Sequence, residues 1–157
     1  MTNLVVFYSR SGKTKKIGTL ISEQLKCENE EILDTKKRSG IFGYLKSGRD
    51  AMRKKLTVLQ EIKKNPASYD LIIIGTPILG ANMSTPIRTY ITEHKEKFKK
   101  VAFFCTEGSS GGQKCFKNMT ELCGKEPIAT LEIKGKEIKT DIYSERIKLF
   151  IEQIKTK

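Results

Sequence analysis

The chain has no tryptophan, one histidine, four prolines and four cysteines in 157 residues. Each scarcity excludes something. Cys27, Cys105, Cys115 and Cys123 include no Cys-x-x-Cys pair, and His94 alone cannot complete a structural zinc set, which takes four clustered thiolates or imidazoles. Reduced, mostly buried thiols are expected, in an intracellular setting. No apolar run approaches the roughly 20 residues of a membrane-spanning helix. Met1-Thr2-Asn3 and the short apolar run after it lack the basic n-region and long h-region of a secretory signal, so a cytoplasmic location is expected. The length suits one compact domain, residues 1–157, able to bury its own core without disulfide or metal.

Acidic residues are also in deficit. Eighteen Asp and Glu face 30 Lys and Arg, a net charge of +12. The surplus is concentrated. Residues 35–65 hold Lys36, Lys37, Arg38, Lys46, Arg49, Arg53, Lys54, Lys55, Lys63 and Lys64 against Asp50 and Glu61, which is +8 of the total. A solvated helix face is one reading of this segment. A docking surface for an acidic protein, an anionic ligand or a headgroup layer is the other. Few aromatics accompany the charge and no reading motif is present, so nucleic acid is not the expected partner.

Short apolar runs alternate with helical periodicity. Leu4-Val5-Val6-Phe7-Tyr8, Leu71-Ile72-Ile73-Ile74 and Val101-Ala102-Phe103-Phe104-Cys105 read as strands covered on both faces. Glu31–Asp34 and Pro127–Ile133 are weaker strand candidates. Between them, Ile17/Leu20/Ile21/Leu25, Leu45/Met52/Leu56/Leu59, Ile87/Tyr90/Ile91/Phe98, Cys115/Phe116/Met119/Leu122/Cys123 and Ile147/Phe150/Ile151/Ile154 fall at helical spacing. His94 is placed within the helix that starts near Pro86, in a surface or packing role. Five strands alternating with helices predict a parallel α/β sheet with helices on both faces and a ligand site beyond the carboxyl ends of its strands.

Three loops therefore carry the candidate chemistry. Ser9-Arg10-Ser11-Gly12-Lys13-Thr14 joins the first strand to the first helix and offers three hydroxyls, two cations and helix N-terminal N–H groups, a phosphate-binding set. A Walker A loop would need glycine at position 7, which is Phe7, so a triphosphate reading fails. A capped Ser/Gly turn without a ligand is the bland alternative. Gly75-Thr76-Pro77-Ile78-Leu79-Gly80-Ala81-Asn82-Met83-Ser84-Thr85-Pro86 is an ordered loop of small and apolar residues suited to a flat heterocycle. Thr106-Glu107-Gly108-Ser109-Ser110-Gly111-Gly112 lets backbone approach a ligand closely.

In these loops, in Tyr69-Asp70 through Pro77 and in Met83 to Tyr90, the sequence resembles the flavodoxin family, and the strand spacing extends the likeness over nearly the whole chain. It is most similar to short, single-domain flavodoxin-like proteins. The resemblance implies a flavodoxin-like three-layer sandwich with a five-stranded parallel sheet of order 2-1-3-4-5. It also implies non-covalent FMN and electron transfer with an acidic redox partner of ferredoxin or reductase type. The alternative is an FMN-dependent NAD(P)H:quinone or protoporphyrinogen-type oxidoreductase; a module that keeps the fold without the flavin is a third possibility. Ser9, Arg10, Ser11, Gly12, Lys13 and Thr14 would take the phosphate. Thr76, Pro77, Ile78, Leu79, Gly80, Ala81 and Asn82 would flank one side of the ring system, and Thr106, Glu107, Gly108 and Gly112 would border the other. Two departures stand out. Leu79 occupies a position that is often aromatic in relatives, and the third loop has no stacking tyrosine, so an aromatic sandwich is not expected. Relatives are also typically acidic, unlike this chain.

Overall fold

The computed structural model describes residues 1–35 and 40–157. Strands β1 (Asn3–Phe7), β2 (Glu28–Glu31), β3 (Leu71–Pro77), β4 (Lys100–Glu107) and β5 (Thr130–Lys134) form one parallel sheet in the order β2-β1-β3-β4-β5. Among the described residues six α-helices connect or follow them: α1 (Lys13–Leu25), α2 (Gly40–Met52), α3 (Thr85–His94), α4 (Gly112–Cys123), α5 (Gly135–Lys139) and α6 (Ser144–Lys155). This is the flavodoxin-like topology expected from the alternation of runs.

The β-branched and aromatic runs form central strands because both of their faces are covered. Alternate side chains of β1, β3 and β4 enter two separate cores. Leu4, Val6, Ile72, Ile74, Val101 and Phe103 pack with Ile87, Tyr90 and Ile91 of α3 and with Cys115, Phe116 and Met119 of α4. Val5, Phe7, Leu71, Ile73, Ala102 and Phe104 pack with Ile17 and Ile21 of α1 and with Ile147, Phe150, Ile151 and Ile154 of α6. Three of the four cysteines are buried, all four are free, and burial raises their thiol pKa values. Among the described residues no helix is long and apolar enough to cross a membrane.

Four expectations shift. The second strand is Glu28–Glu31, three residues before the expected Glu31–Asp34. It is an edge strand of four polar residues, so it carries no hydrophobic alternation; Glu28 is held from outside by Lys64 and Tyr69. Ile32, just past its end, supplies the core contact, and Asp34 bridges to Leu59 instead. Helix α2 stops at Met52 rather than running on to Leu59. Lys54 turns left-handed (φ 53°), and the N–H groups of Lys54 and Lys55 close on the carbonyls of Ala51 and Asp50, a Schellman ending that periodicity does not reveal. The last strand begins at Thr130 rather than Pro127. His94 is the final residue of α3, not mid-helix; its ring lies 4.9 Å from that of Tyr90, and burial lowers its pKa.

Sheet order places the site. From β1 the chain crosses outward to β2 and then returns past β1 to β3, so the connections after β1 and β3 leave in opposite directions. A crevice opens between them at the carboxyl edge.

Candidate functional site

That crevice is a cavity of about 200 Å³ lined by Arg10, Ser11, Lys13, Thr14, Tyr44, Pro77, Ile78, Leu79, Thr106, Glu107 and Gly108. Three predicted loops therefore converge, and one lining residue, Tyr44, comes from an element not assigned to the site.

The first loop enters α1 through Gly12 at φ 93°, a left-handed conformation that glycine adopts without strain. Ser9 Oγ accepts the N–H groups of Gly12 and Lys15, both at 3.1 Å, and so fixes the turn rather than lining the cavity. The first-turn N–H groups of Lys13 and Thr14 have no acceptor within the helix, and no acidic residue occupies that turn. With Ser11, Arg10 and Lys13 they form a cationic, donor-rich mouth. Thr14 is buried, and its hydroxyl lies 2.7 Å from that of Thr106, which ties the start of α1 to the end of β4 across 92 residues of sequence.

The second loop is more tightly organised than its composition suggests. Leu79 and Asn82 exchange both backbone hydrogen bonds, at 3.0 and 3.2 Å, around Gly80 (φ 57°) and Ala81 (φ 56°), which makes a type I′ turn. Pro77, Ile78 and Leu79 face the cavity. Thr76 does not; it is fully buried, and its hydroxyl accepts the Ser84 N–H at 2.9 Å to anchor α3. Asn82 is also buried, its Oδ1 taking the Met83 N–H at 2.9 Å. Gly80, Ala81 and Asn82 thus shape the turn without lining the cavity. The Ile78 N–H donates to the Thr106 carbonyl at 2.8 Å, joining the second loop to the third.

In the third loop Thr106, Glu107 and Gly108 line the cavity, whereas Gly112 stands behind it and donates its N–H to Glu107 Oε2 at 3.0 Å. Glu107 is 4% exposed, and its Oε1 has no hydrogen-bond partner among the described residues. Burial and the adjacent Glu132 carboxyl raise its pKa to about 7, against the opposing pull of the Gly112 N–H and Lys134.

Two features lay beyond sequence reasoning. Tyr44 projects from α2 into the cavity wall, with the Arg10 guanidinium 4.8 Å above its ring. The second and third loops bring no aromatic side chain to the cavity lining; the aromatic found there comes from the basic crossover helix, which the sequence reading had not assigned to the site. An exposed tyrosine amid glycines and cations was its only sequence signal. Glu132 was missed because it sits in a strand as an ordinary outward-facing polar residue. Lys36, Lys37 and Arg38 of the basic segment lie outside the described residues; Lys46 and Arg49 on α2, and Arg53, Lys54 and Lys55 just after it, are exposed. No group of three or more His, Cys, Asp or Glu that could hold a metal occurs among the described residues.

Comparison with known proteins bears on the fold. A flavoprotein from Lactobacillus acidophilus NCFM, crystallised in complex with FMN, is 24% identical, with a TM-score of 0.74 over 91% of this chain and 98% of its own. Two-electron reduced flavodoxin from Megasphaera elsdenii is 18% identical, with a TM-score of 0.62 over 97% of each chain. A WrbA-like flavodoxin from Agrobacterium tumefaciens is 13% identical, with a TM-score of 0.54 over 97% of this chain and 98% of its own. These likenesses concern the fold. No curated protein matches the sequence. The family model described as flavodoxin matches residues 2–154, and the chain belongs to the flavodoxin family.

Proposed function

We propose that the protein binds FMN non-covalently and carries electrons between redox partners. The observation that carries this reading is the convergence, in one crevice, of an acid-free helix N-terminus bearing Ser11 and Lys13 with the ends of β3 and β4. The donor set fits the group. The N–H groups of Lys13 and Thr14, the Ser11 hydroxyl and the charges of Arg10 and Lys13 suit a phosphate dianion, with Ser9 and Gly12 setting the turn. Pro77, Ile78 and Leu79, shaped by the turn at Gly80, Ala81 and Asn82, offer an apolar wall for a ring system, with Thr106, Glu107 and Gly108 opposite. Tyr44 adds an aromatic face at the α2 side. When bound, FMN supplies reversible one- and two-electron chemistry, and the protein supplies orientation and field.

The partner reading follows from charge. Arg49 and Arg53 flank exposed Met52 on the α2 side of the site, Lys54 and Lys55 follow exposed just after the helix, and Phe42 and Leu45 are exposed on the same helix. An acidic protein surface, as on a ferredoxin or reductase, complements such a patch and would be steered toward the cofactor edge.

A second reading, direct reduction of a small molecule, is favoured by one observation. A cavity of about 460 Å³ lined by Tyr44, Leu45, Gly48, Arg49, Met52, Arg53, Leu79 and Gly80 adjoins the crevice and shares Tyr44 and Leu79 with it. That volume is within the usual range for small-molecule sites.

The test is titration of the apoprotein with FMN, followed by flavin fluorescence quenching and the visible spectrum. Saturable 1:1 quenching is expected; an unchanged flavin spectrum at millimolar protein would refute the cofactor. Turnover with NAD(P)H and a quinone, without added reductase, then separates the two readings. The carrier reading predicts none.

A further inference from the structure

Glu107 is used by nothing in the reading above except as wall. Yet a carboxyl that is 4% exposed, with one oxygen lacking any donor among the described residues, is a costly group to keep charged. Its surroundings specify how the cost is relieved. From α4, the Gly112 N–H satisfies Oε2 at 3.0 Å. From β5, the Glu132 side chain comes so close behind that helix start that a Cβ on Gly112 would stand 2.4 Å from Glu132 Oε2. Gln113 reaches that same oxygen at 3.4 Å. Lys134 of β5 exerts an attractive field, and Lys13 stays on the backbone side, its Nζ 3.4 Å from where a Cβ on Gly135 would stand, beside the Glu107 carbonyl. Arg10 lines the same cavity from the opposite loop. The nearby thiols of Cys105 and Cys115 are buried and neutral. Two ionised carboxylates cannot hydrogen-bond one another. One proton held by the pair removes the repulsion and lessens the cost of burying Glu107.

We propose that Glu107 and Glu132 share a single proton at neutral pH and that this pair is the proton-holding group of the flavin crevice. The consequence rests on the FMN reading. Reduction of bound FMN to its anionic two-electron form places two electrons and one proton on the flavin and leaves a net negative charge beside the pair. That charge raises the pair's affinity for its own proton. Above the pH at which the pair has begun to ionise, reduction therefore draws in additional proton from solvent. Burial and the facing carboxyl centre that ionisation near pH 7.

The first arm uses the apoprotein and needs no flavin: carboxyl ¹³C NMR titration of the glutamate side chains. Glu107 is expected to titrate well above the ordinary glutamate range, and Glu132→Gln is expected to move it down. Titration of Glu107 in the ordinary range overturns the proposal. The second arm measures proton uptake with an indicator dye while the FMN-loaded protein is reduced electrochemically. Wild type is expected to take up more than one proton per two electrons just above pH 7, whereas Glu107→Gln takes up one. Equal uptake in wild type and E107Q overturns the redox consequence and locates the extra proton on the flavin. Should E107Q fold poorly, E132Q serves in the same assay. Failure to bind FMN would remove only the second arm and would leave the shared proton to the NMR result.

Discussion

At the residue scale the crevice depends on contacts between side chains far apart in sequence. Tyr44 is half exposed, held beneath Arg10, and among the described residues is the one aromatic lining the cavity. Its ring is expected to stack on or edge the flavin, a contact of about 0.5–1.5 kcal/mol. Tyr44→Ala should therefore weaken FMN binding roughly 3- to 10-fold, with Tyr44→Phe near wild type; fluorescence titration of the apoproteins checks both. The Thr14–Thr106 contact is buried and joins two loops. Thr106→Val keeps the shape but leaves the Thr14 hydroxyl unsatisfied, at a cost of about 1–3 kcal/mol. A lowered urea midpoint without a change in slope is the expected result.

At the element scale, the three central strands were legible because continuous β-branched and aromatic runs can be satisfied only where both faces are covered. The polar edge strand and the end of α2 were not legible, since each is set by partners outside the local sequence. Gly75 illustrates how tightly the elements meet. A Cβ there would stand 1.9 Å from Phe104 Cζ, on the neighbouring strand. Gly75→Ala should destabilise by about 1–3 kcal/mol or more through overpacking, and Phe104→Leu should recover part of that loss in the double variant, read by thermal melting. Asp70 ties the start of β3 to the N-terminus and to β4. Its carboxylate accepts the Thr2 N–H at 2.9 Å and the Thr2 hydroxyl at 3.0 Å, and pairs with Lys99 at 3.2 Å. Those bonds, the backbone N–H foremost, hold its pKa at about 2. Because the folded-state value is depressed, the stabilisation is present above the unfolded-state pKa of about 4 and is lost as pH falls toward 2. Wild type should lose urea resistance across that window more steeply than Asp70→Asn.

At the scale of the whole molecule, the net charge of +12 is the property most unlike a typical flavodoxin. A basic protein attracts the anionic reduced cofactor. One charge at about 10 Å and an effective dielectric of about 40 contributes about 0.8 kcal/mol before screening. The potential of the second electron is therefore expected to become more negative as salt rises, in a spectroelectrochemical titration at low and high ionic strength. A potential indifferent to salt would count against the field argument. Partner association should slow with salt for the same reason.

The sequence by itself determined the fold class, the three loops and the excess of positive charge, because hydrophobic period, turn chemistry and composition are local properties written residue by residue. Only the tertiary structure decided that Tyr44 walls the crevice, that Thr14 meets Thr106, and that Glu132 stands beside Glu107. Those pairings join strands and helices through crossovers of many residues, and close approach across a parallel sheet depends on strand order and register, which no local pattern encodes.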